Sequence, residues 1–485
     1  MSAAPHHEHS GEAFPRHAAV DAVAHALEHR VRRERAQVLL VALGLALVAL
    51  AFPTHALFGQ SVSLVEATAR GAFAGVHALP CALARAIAGA TGLDAERVWF
   101  LLGALAFGAT LPLLVRVARA RGWEHGPALA TALLALSAPV VLTAATTPDA
   151  SAFRLLGAAW FASELVTPAS GPKRRAFAWL GACALHVGNA WTWPALVAAE
   201  WTRPRNGRGV ARFAPALVAA LGLALVSLAL HHDPTRALHA TTRALLAGGS
   251  GGPGPLLAWW TLWLPALGAA GLGLAAWIAS VARGGWKREP ELVLFACVPW
   301  IAQSLGGAID WELPWVELVP LGVLGLLALL QCAEERGPGA RARLAAAACA
   351  LFGLAGAAWI RELDRHAEWT RDASVRLEPG DVVLTASPEH RHLLEHRFHV
   401  ATIDLRPIGA RPKAERERFW SEQRAAATRL TSEGRRLVLD EDSLFDFGTL
   451  AWPDGAELER FVAETRPATL SDDRLPPGPS SAGAR

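Results

Sequence analysis

Arg30-Val-Arg32-Arg33-Glu34-Arg35-Ala-Gln37-Val38-Leu-Leu-Val-Ala-Leu-Gly-Leu-Ala-Leu-Val-Ala-Leu50-Ala51 sets four arginines against a long uncharged run. A helix needs about 20 apolar residues to cross a bilayer. Runs of that kind recur from Gln37 to about Ile360, and basic residues mark every second boundary. Arg116, Arg119 and Arg121 follow the second run, and Lys173, Arg174 and Arg175 follow the fourth. Arg203, Arg205 and Arg208 precede a later run, and Arg341 and Arg343 precede the last. Cytoplasmic loops of membrane proteins collect Lys and Arg, so these boundaries are expected on the cytoplasmic side.

Composition agrees. Of 485 residues, 52% are hydrophobic and 18% charged, an unusual balance for a soluble chain of this length. The net charge of +3 hides an asymmetry: from Glu362 onward there are 23 acids against 18 bases, so the remainder is basic. Topology and anionic lipid account for that basic part without nucleic acid. The five cysteines, Cys81, Cys183, Cys297, Cys332 and Cys349, show no metal-ligand spacing, and none lies in the tail. The absence of tyrosine and the single methionine beside 19 tryptophans suggest GC-rich coding and a bacterial source. His6, His7, Glu8 and His9 open a polar stretch, and the first apolar run comes too late for a cleavable signal peptide.

Residues 1–36 are expected as a cytoplasmic tail with an amphipathic helix over 17–35, where Val20, Val23 and Leu27 share a side. Full spans are placed at about 37–56, 98–118, 127–146, 151–168, 211–230, 256–280, 290–308, 314–332 and 343–360. A long outer connection, 58–96, has helical spacing at Val62–Phe73 and Ala82–Ile87. The block Ala176–Trp201 carries basic residues at both ends, which one span cannot do in the cytoplasm. Its centre, His186-Val-Gly188-Asn189-Ala-Trp191-Thr-Trp193-Pro194, breaks a helix, so a re-entrant pair of half-helices is expected. The predicted fold class is a mainly α polytopic transmembrane bundle, 37–361, of about nine full spans plus that pair. A small extracytoplasmic α/β domain over 362–470 follows. Its strands are expected at Asp381–Thr385, Phe398–Asp404 and Arg436–Leu439, and its helices at Pro388–Arg397 and Ala414–Leu430. Residues 471–485, rich in Pro, Gly and Ser, are expected to be disordered.

Three stretches carry a family resemblance: Gly75-Val-His77-Ala-Leu-Pro80, Leu180-Gly-Ala-Cys-Ala-Leu-His186-Val-Gly-Asn189, and Leu377-Glu-Pro-Gly-Asp-Val-Val-Leu-Thr385. With the order of spans and loops, they resemble GT-C-type membrane glycosyltransferases. The similarity is to the bacterial branch of unknown function related to transmembrane protein O-mannosyltransferases. That resemblance implies residence in the bacterial inner membrane, while the span count and the charge ladder put the N-terminus inside and the tail outside. It implies a polyprenyl-phosphate-linked sugar as donor, and the chemistry admits a divalent cation. The related branch often reads Asp-Ser-Gly-Glu after the first span. Here that stretch is Gly59-Gln-Ser-Val-Ser-Leu-Val-Glu66, so only Glu66 supplies a carboxylate.

Sugar transfer from a phosphate-linked donor needs a base for the acceptor and help for the departing phosphate. Glu66 and Asp149 are the candidate catalytic and metal-binding carboxylates; the plainer reading is two solvated loop acids. Arg70 and Arg154 can meet a lipid phosphate or simply snorkel to the interface. His77 can polarise the phosphate or be a loop histidine without a role. His186 and Asn189 can face the donor cavity or satisfy broken backbone. Trp259, Trp260 and Trp263 read as an interfacial belt, and Asp310 with Glu312 as a solvated pair. The second function class is a non-catalytic relative that binds lipid or an envelope partner, and the third a transporter with broken helices.

Overall fold

A computed structural model describes residues 14–52, 61–69, 78–202, 213–230, 267–284, 289–306, 316–340, 343–344, 369, 373, 375–385, 388–396, 398–405, 413–440 and 455–470. The described residues are mostly helical, with one small sheet among them.

The amphipathic segment and the first span form one continuous helix, α1 (Phe14–Ala51), and not two elements. Nothing at Ala36-Gln37 breaks it, since both are good helix formers. Pairs one turn apart, Arg30 to Glu34 at 3.1 Å and Arg32 to Glu28 at 2.6 Å, support its charged half. In the apolar half Leu39, Leu40, Leu43, Leu47 and Val48 are exposed, while Val38, Ala42, Ala46 and Ala49 are buried. The buried face meets α4 (Ala95–Arg119). A Cβ at Gly108 of α4 would stand 2.6 Å from the Ala42 carbonyl, so glycine permits the close crossing. Asp94 caps α4 by accepting from Arg97 N at 2.8 Å, and Arg116 and Arg119 sit in its last turn.

The described parts of the expected outer connection are largely helical: α2 (Ser61–Ala69) covers the described part of the first periodic stretch and α3 (Ala78–Thr91) the second, while residues 70–77 lie outside the described residues. The segment expected as the third span is not straight. It divides into α5 (His125–Leu136) and α6 (Pro139–Thr146), bent by 73°. Pro139 cannot donate a backbone hydrogen bond and forces Ala138 out of helical conformation, with ψ at 133°.

Then come α7 (Ser151–Val166), α8 (Pro172–Leu185), a 3-10 turn (Val187–Thr192) and α9 (Trp193–Thr202). The two half-helices expected over Ala176–Trp201 are α8 and α9. Extended His186 stops α8. Arg175 near the start of α8 donates through Nε to Glu200 near the end of α9 at 2.8 Å, so the pair enters and leaves at one end of the bundle. The later helices are α10 (Ala214–Leu230), α11 (Gly268–Ala282), α12 (Pro290–Gly306) and α13 (Val319–Glu335), the last preceded by a 3-10 turn at Val316–Leu318.

Among the described residues, three helical stretches are long and apolar enough to cross a membrane: His25–Ala51, Ala95–Arg119 and Val316–Glu335. The bent α5–α6 pair makes a fourth if it is one span. The expectation of about nine spans is therefore met only in part, because α7, α10, α11 and α12 are 15–17 residues long. The span expected at 343–360 and the loop 231–255 lie outside the described residues, apart from 343–344.

The tail strands β1 (Val382–Thr385), β2 (Ala401–Asp404), β3 (Leu437–Leu439) and β4 (Ala468–Thr469) form a parallel sheet in the order β2-β1-β3-β4. The helices are α14 (Pro388–His396), α15 (Lys413–Ser432) and α16 (Gly455–Thr465). Three strands and two helices fall where expected; α16 and β4 were not anticipated. Alternation along β1 puts Val382 and Leu384 against Trp420 and Phe461, and Val383 against Leu394 and Trp369. Buried Asp440, just past β3, accepts from Trp369 Nε1 at 3.0 Å and Thr385 Oγ1 at 2.7 Å, and lies 2.7 Å from His390 Nδ1. It thus joins the segment entering the sheet to β1, α14 and β3.

Burial pushes the Asp440 carboxyl up, but the His390 charge and its hydrogen-bond donors outweigh burial and hold it below the usual carboxylate range. A depressed native value means that the unfolded chain binds the proton more readily. The resulting stabilisation is complete above an unfolded pKa of about 3.9 and is lost as pH falls through the native value. The protection of β1 and β3 amides against hydrogen exchange, relative to the intrinsic rate at each pH, should fall on acidification below about pH 4. Asp440→Asn should flatten that dependence and destabilise the sheet by about 1–3 kcal/mol at neutral pH. At the crossing of α11 and α13, a Cβ at Gly325 would collide with the Gly273 carbonyl. Gly325→Val should therefore lower stability by about 1–3 kcal/mol or more, read as a shifted melting midpoint in detergent.

Candidate functional site

The start of α7 carries two of the candidate residues. Asp149 is buried; its carboxylate accepts from Ala150 N at 2.7 Å and from the Ser151 hydroxyl. Just over one turn further on, Arg154 is buried too. Its Nη2 donates to Glu317 Oε1 at 3.0 Å, in the 3-10 turn before α13. The plainer alternatives, a solvated Asp149 and a snorkelling Arg154, give way to a buried acid and a buried ion pair.

The break between α8 and α9 closes the other side of this pair. Asn189 Nδ2 donates to the Arg154 carbonyl at 3.3 Å and to the Ala182 carbonyl at 3.0 Å. Its own carbonyl accepts from Thr192 Oγ1 at 2.6 Å. Asn189 therefore does what the plainer reading proposed, satisfying backbone freed by the break. Its buried Oδ1 has no hydrogen-bond partner among the described residues. His186 Nδ1 accepts from Gly188 N at 3.0 Å, which places the proton of the neutral ring on Nε2. A Cβ at Gly188 would lie 2.9 Å from His186 Nδ1 and 3.2 Å from Arg154 Cζ. Glycine at 188 thus lets the imidazole and the guanidinium share one small space.

Glu317, His186 and Asn189 are therefore gathered around Arg154, with Asp149 just ahead of α7. Glu66 stands apart on α2, its Oε1 3.7 Å from His392 Nδ1 of α14. The helix carrying Glu66 is nonetheless tied toward α7. Trp99 Nε1 donates to Thr68 Oγ1 at 3.0 Å, and the Trp99 ring meets Phe153 edge-on at 6.2 Å. Arg70 and His77 lie outside the described residues, as do Asp310 and Glu312. Among the described residues no three His, Cys, Asp or Glu side chains converge to hold a metal ion. Glu66 lies beside His392, and Asp149 beside Ser151.

Glu317 was missed. Its signal was present: an acid at the head of the apolar block 314–332, matching Arg154 at the head of another. A second polar cluster occupies the opposite end of α7. Glu164 is buried and binds Arg116 at 2.8 Å, Arg174 at 3.2 Å and Ser170 Oγ at 2.6 Å. Beside it, Arg175 is fully buried against Glu200 and the Ser170 carbonyl.

Removing one member of a buried ion pair strands the other, a loss of about 3–5 kcal/mol, whereas replacing both is often near neutral. Glu317→Leu alone should therefore lower stability by about that amount, and the double change Arg154→Met with Glu317→Leu should restore most of it. Melting midpoints of the three variants in one detergent check this. No protein-family model matches the chain, and no curated protein matches it.

Proposed function

We propose that the chain is a GT-C-like integral membrane protein that transfers a sugar from a polyprenyl-phosphate donor at the outer face of the bacterial inner membrane. On this reading the chain crosses about nine times, with α8 and α9 re-entrant, the N-terminus in the cytoplasm and the sheet outside. The observation that carries the reading is the buried Arg154–Glu317 pair beside His186, set among apolar helices. Ionisable groups within a membrane-embedded bundle are expensive to keep and mark sites of function more often than of structure.

The chemistry follows from the arrangement. The acceptor hydroxyl oxygen bonds to the anomeric carbon as the bond from that carbon to the phosphate oxygen breaks. Asp149, fixed by Ser151 and Ala150 N, takes the hydroxyl proton. Arg154 and the Nε2–H of His186 meet the charge that collects on the departing phosphate. Glu317 orients the guanidinium. Glu66, near His392, is the second available acid and supports acceptor binding from the sheet side.

The test is transfer of labelled sugar from a polyprenyl-phosphate donor by the purified chain in lipid nanodiscs. Asp149→Asn should lower kcat by about 10²–10⁴, the usual contribution of a general base. His186→Ala should lower it less. Turnover unchanged by both substitutions would sink the assignment. Absence of transfer together with saturable donor binding would favour a non-catalytic lipid-binding relative.

A further inference from the structure

A cavity of about 340 Å³ lies where the charged half of α1 meets the start of α5, lined by Arg30, Arg33, Glu34, Gln37, Glu124, His125 and Gly126. That volume falls within the roughly 300–1,000 Å³ range of small-ligand sites. Its charges fall into two groups. Glu34 is held by Arg30 at 3.1 Å and Arg119 at 3.2 Å, with His125 Nδ1 at 4.0 Å. Arg33 and Glu124 make no ion pair among the described residues, and Glu124 makes no capping hydrogen bond to α5. The cavity thus presents one unmatched cation on α1 and one unmatched carboxylate at the start of α5.

The same face of α1 leads directly into apolar surface. Arg33, Gln37, Leu40, Gly44 and Leu47 follow helical spacing along one stripe. Leu40 and Leu47 are largely exposed, and nothing stands within 4 Å of a Cβ built at Gly44. Headgroup-sized polar space therefore sits at the foot of an open hydrocarbon track.

We propose that this cavity binds the headgroup of a phosphatidylethanolamine molecule, its phosphate on Arg33, its ammonium on Glu124, and an acyl chain along Leu40, Gly44 and Leu47. The inference needs only that α1 crosses a bilayer, and it stands or falls apart from the sugar-transfer reading. A merely basic site would favour anionic lipids. The unmatched carboxylate selects against them and for a headgroup carrying a primary ammonium. Choline, with no N–H, cannot donate to Glu124.

Native mass spectrometry of the full chain, loaded with equal amounts of phosphatidylethanolamine, phosphatidylglycerol and phosphatidylcholine, tests this. Phosphatidylethanolamine should be retained about threefold over each of the others, the order expected of one added interfacial ion pair. Glu124→Gln should abolish its advantage over phosphatidylglycerol while leaving phosphatidylglycerol bound. Arg33→Gln should reduce retention of both. Arg33 and Glu124 are exposed and unpaired, so neither substitution should disturb the fold. Preferential retention of phosphatidylglycerol, equal retention of all three lipids, or a preference that survives Glu124→Gln would overturn the proposal.

Discussion

A charge enclosed by apolar helices must bring its partner with it, and α7 does this at both ends. Arg154 meets Glu317 at one end, and Glu164 meets Arg116 and Arg174 at the other. Ten residues separate the two, about 15 Å along a helix axis. Each end thereby fixes the packing of a different neighbour. Arg154 ties α7 to the turn before α13, and its carbonyl receives Asn189 from the broken helix pair. Glu164 ties α7 to α4 and to the start of α8. The positions of α4, α8 and α13 around α7 are thus set by polar contacts that have no substitute in an apolar surround. Dispersion packing alone would leave such helices free to slide or rotate.

Small residues supply the second constraint. Gly108 meets Ala42, Gly273 meets Gly322, and Gly157 lies against Asn189 and Ala182, each at a distance that a methyl group would forbid. With lipid as solvent, burying leucine against leucine gains little over leaving it in the acyl chains. Close backbone approach compensates by multiplying van der Waals contacts. Alanine and glycine richness is therefore a packing device here, whatever codon usage first produced it.

These two constraints explain what was legible in the sequence. Helix-breaking signals are local, so the break at His186–Pro194 and the strands around Val382, Ala401 and Leu437 could be placed from the chain alone. Boundaries set by lateral partners could not. The joining of two expected segments into α1 depends on the absence of any breaker at Ala36-Gln37, which charge patterning obscured. The bend at Pro139 was hidden because an apolar run scores as one span whether or not a proline divides it. Glu317 was passed over because an acid at the head of an apolar block reads as interfacial until its partner, 163 residues away, is known. The sheet shows the same limit: β4 is two residues long, too short for any periodicity, and exists because Leu439 and Val438 offer it an edge.

The distinction between surface and interior also changes how basic residues are understood. Lys173, Arg174 and Arg175 form one basic step in the sequence, yet Arg174 is exposed and shared with Glu164 while Arg175 is fully enclosed by Glu200 and Ser170. A tally of positive charge treats them alike. Physically, Arg174 contributes a screened pair at an interface, whereas Arg175 closes a hairpin by joining residues 25 positions apart. Arginine suits that second role because its planar fork can engage a carboxylate and a carbonyl at once without losing its charge. The same fork at Arg154 binds Glu317 on one side and lies against Gly188 and His186 on the other. One side chain type thus serves as a clasp between helices and as the group around which a polar site can be assembled inside an apolar bundle.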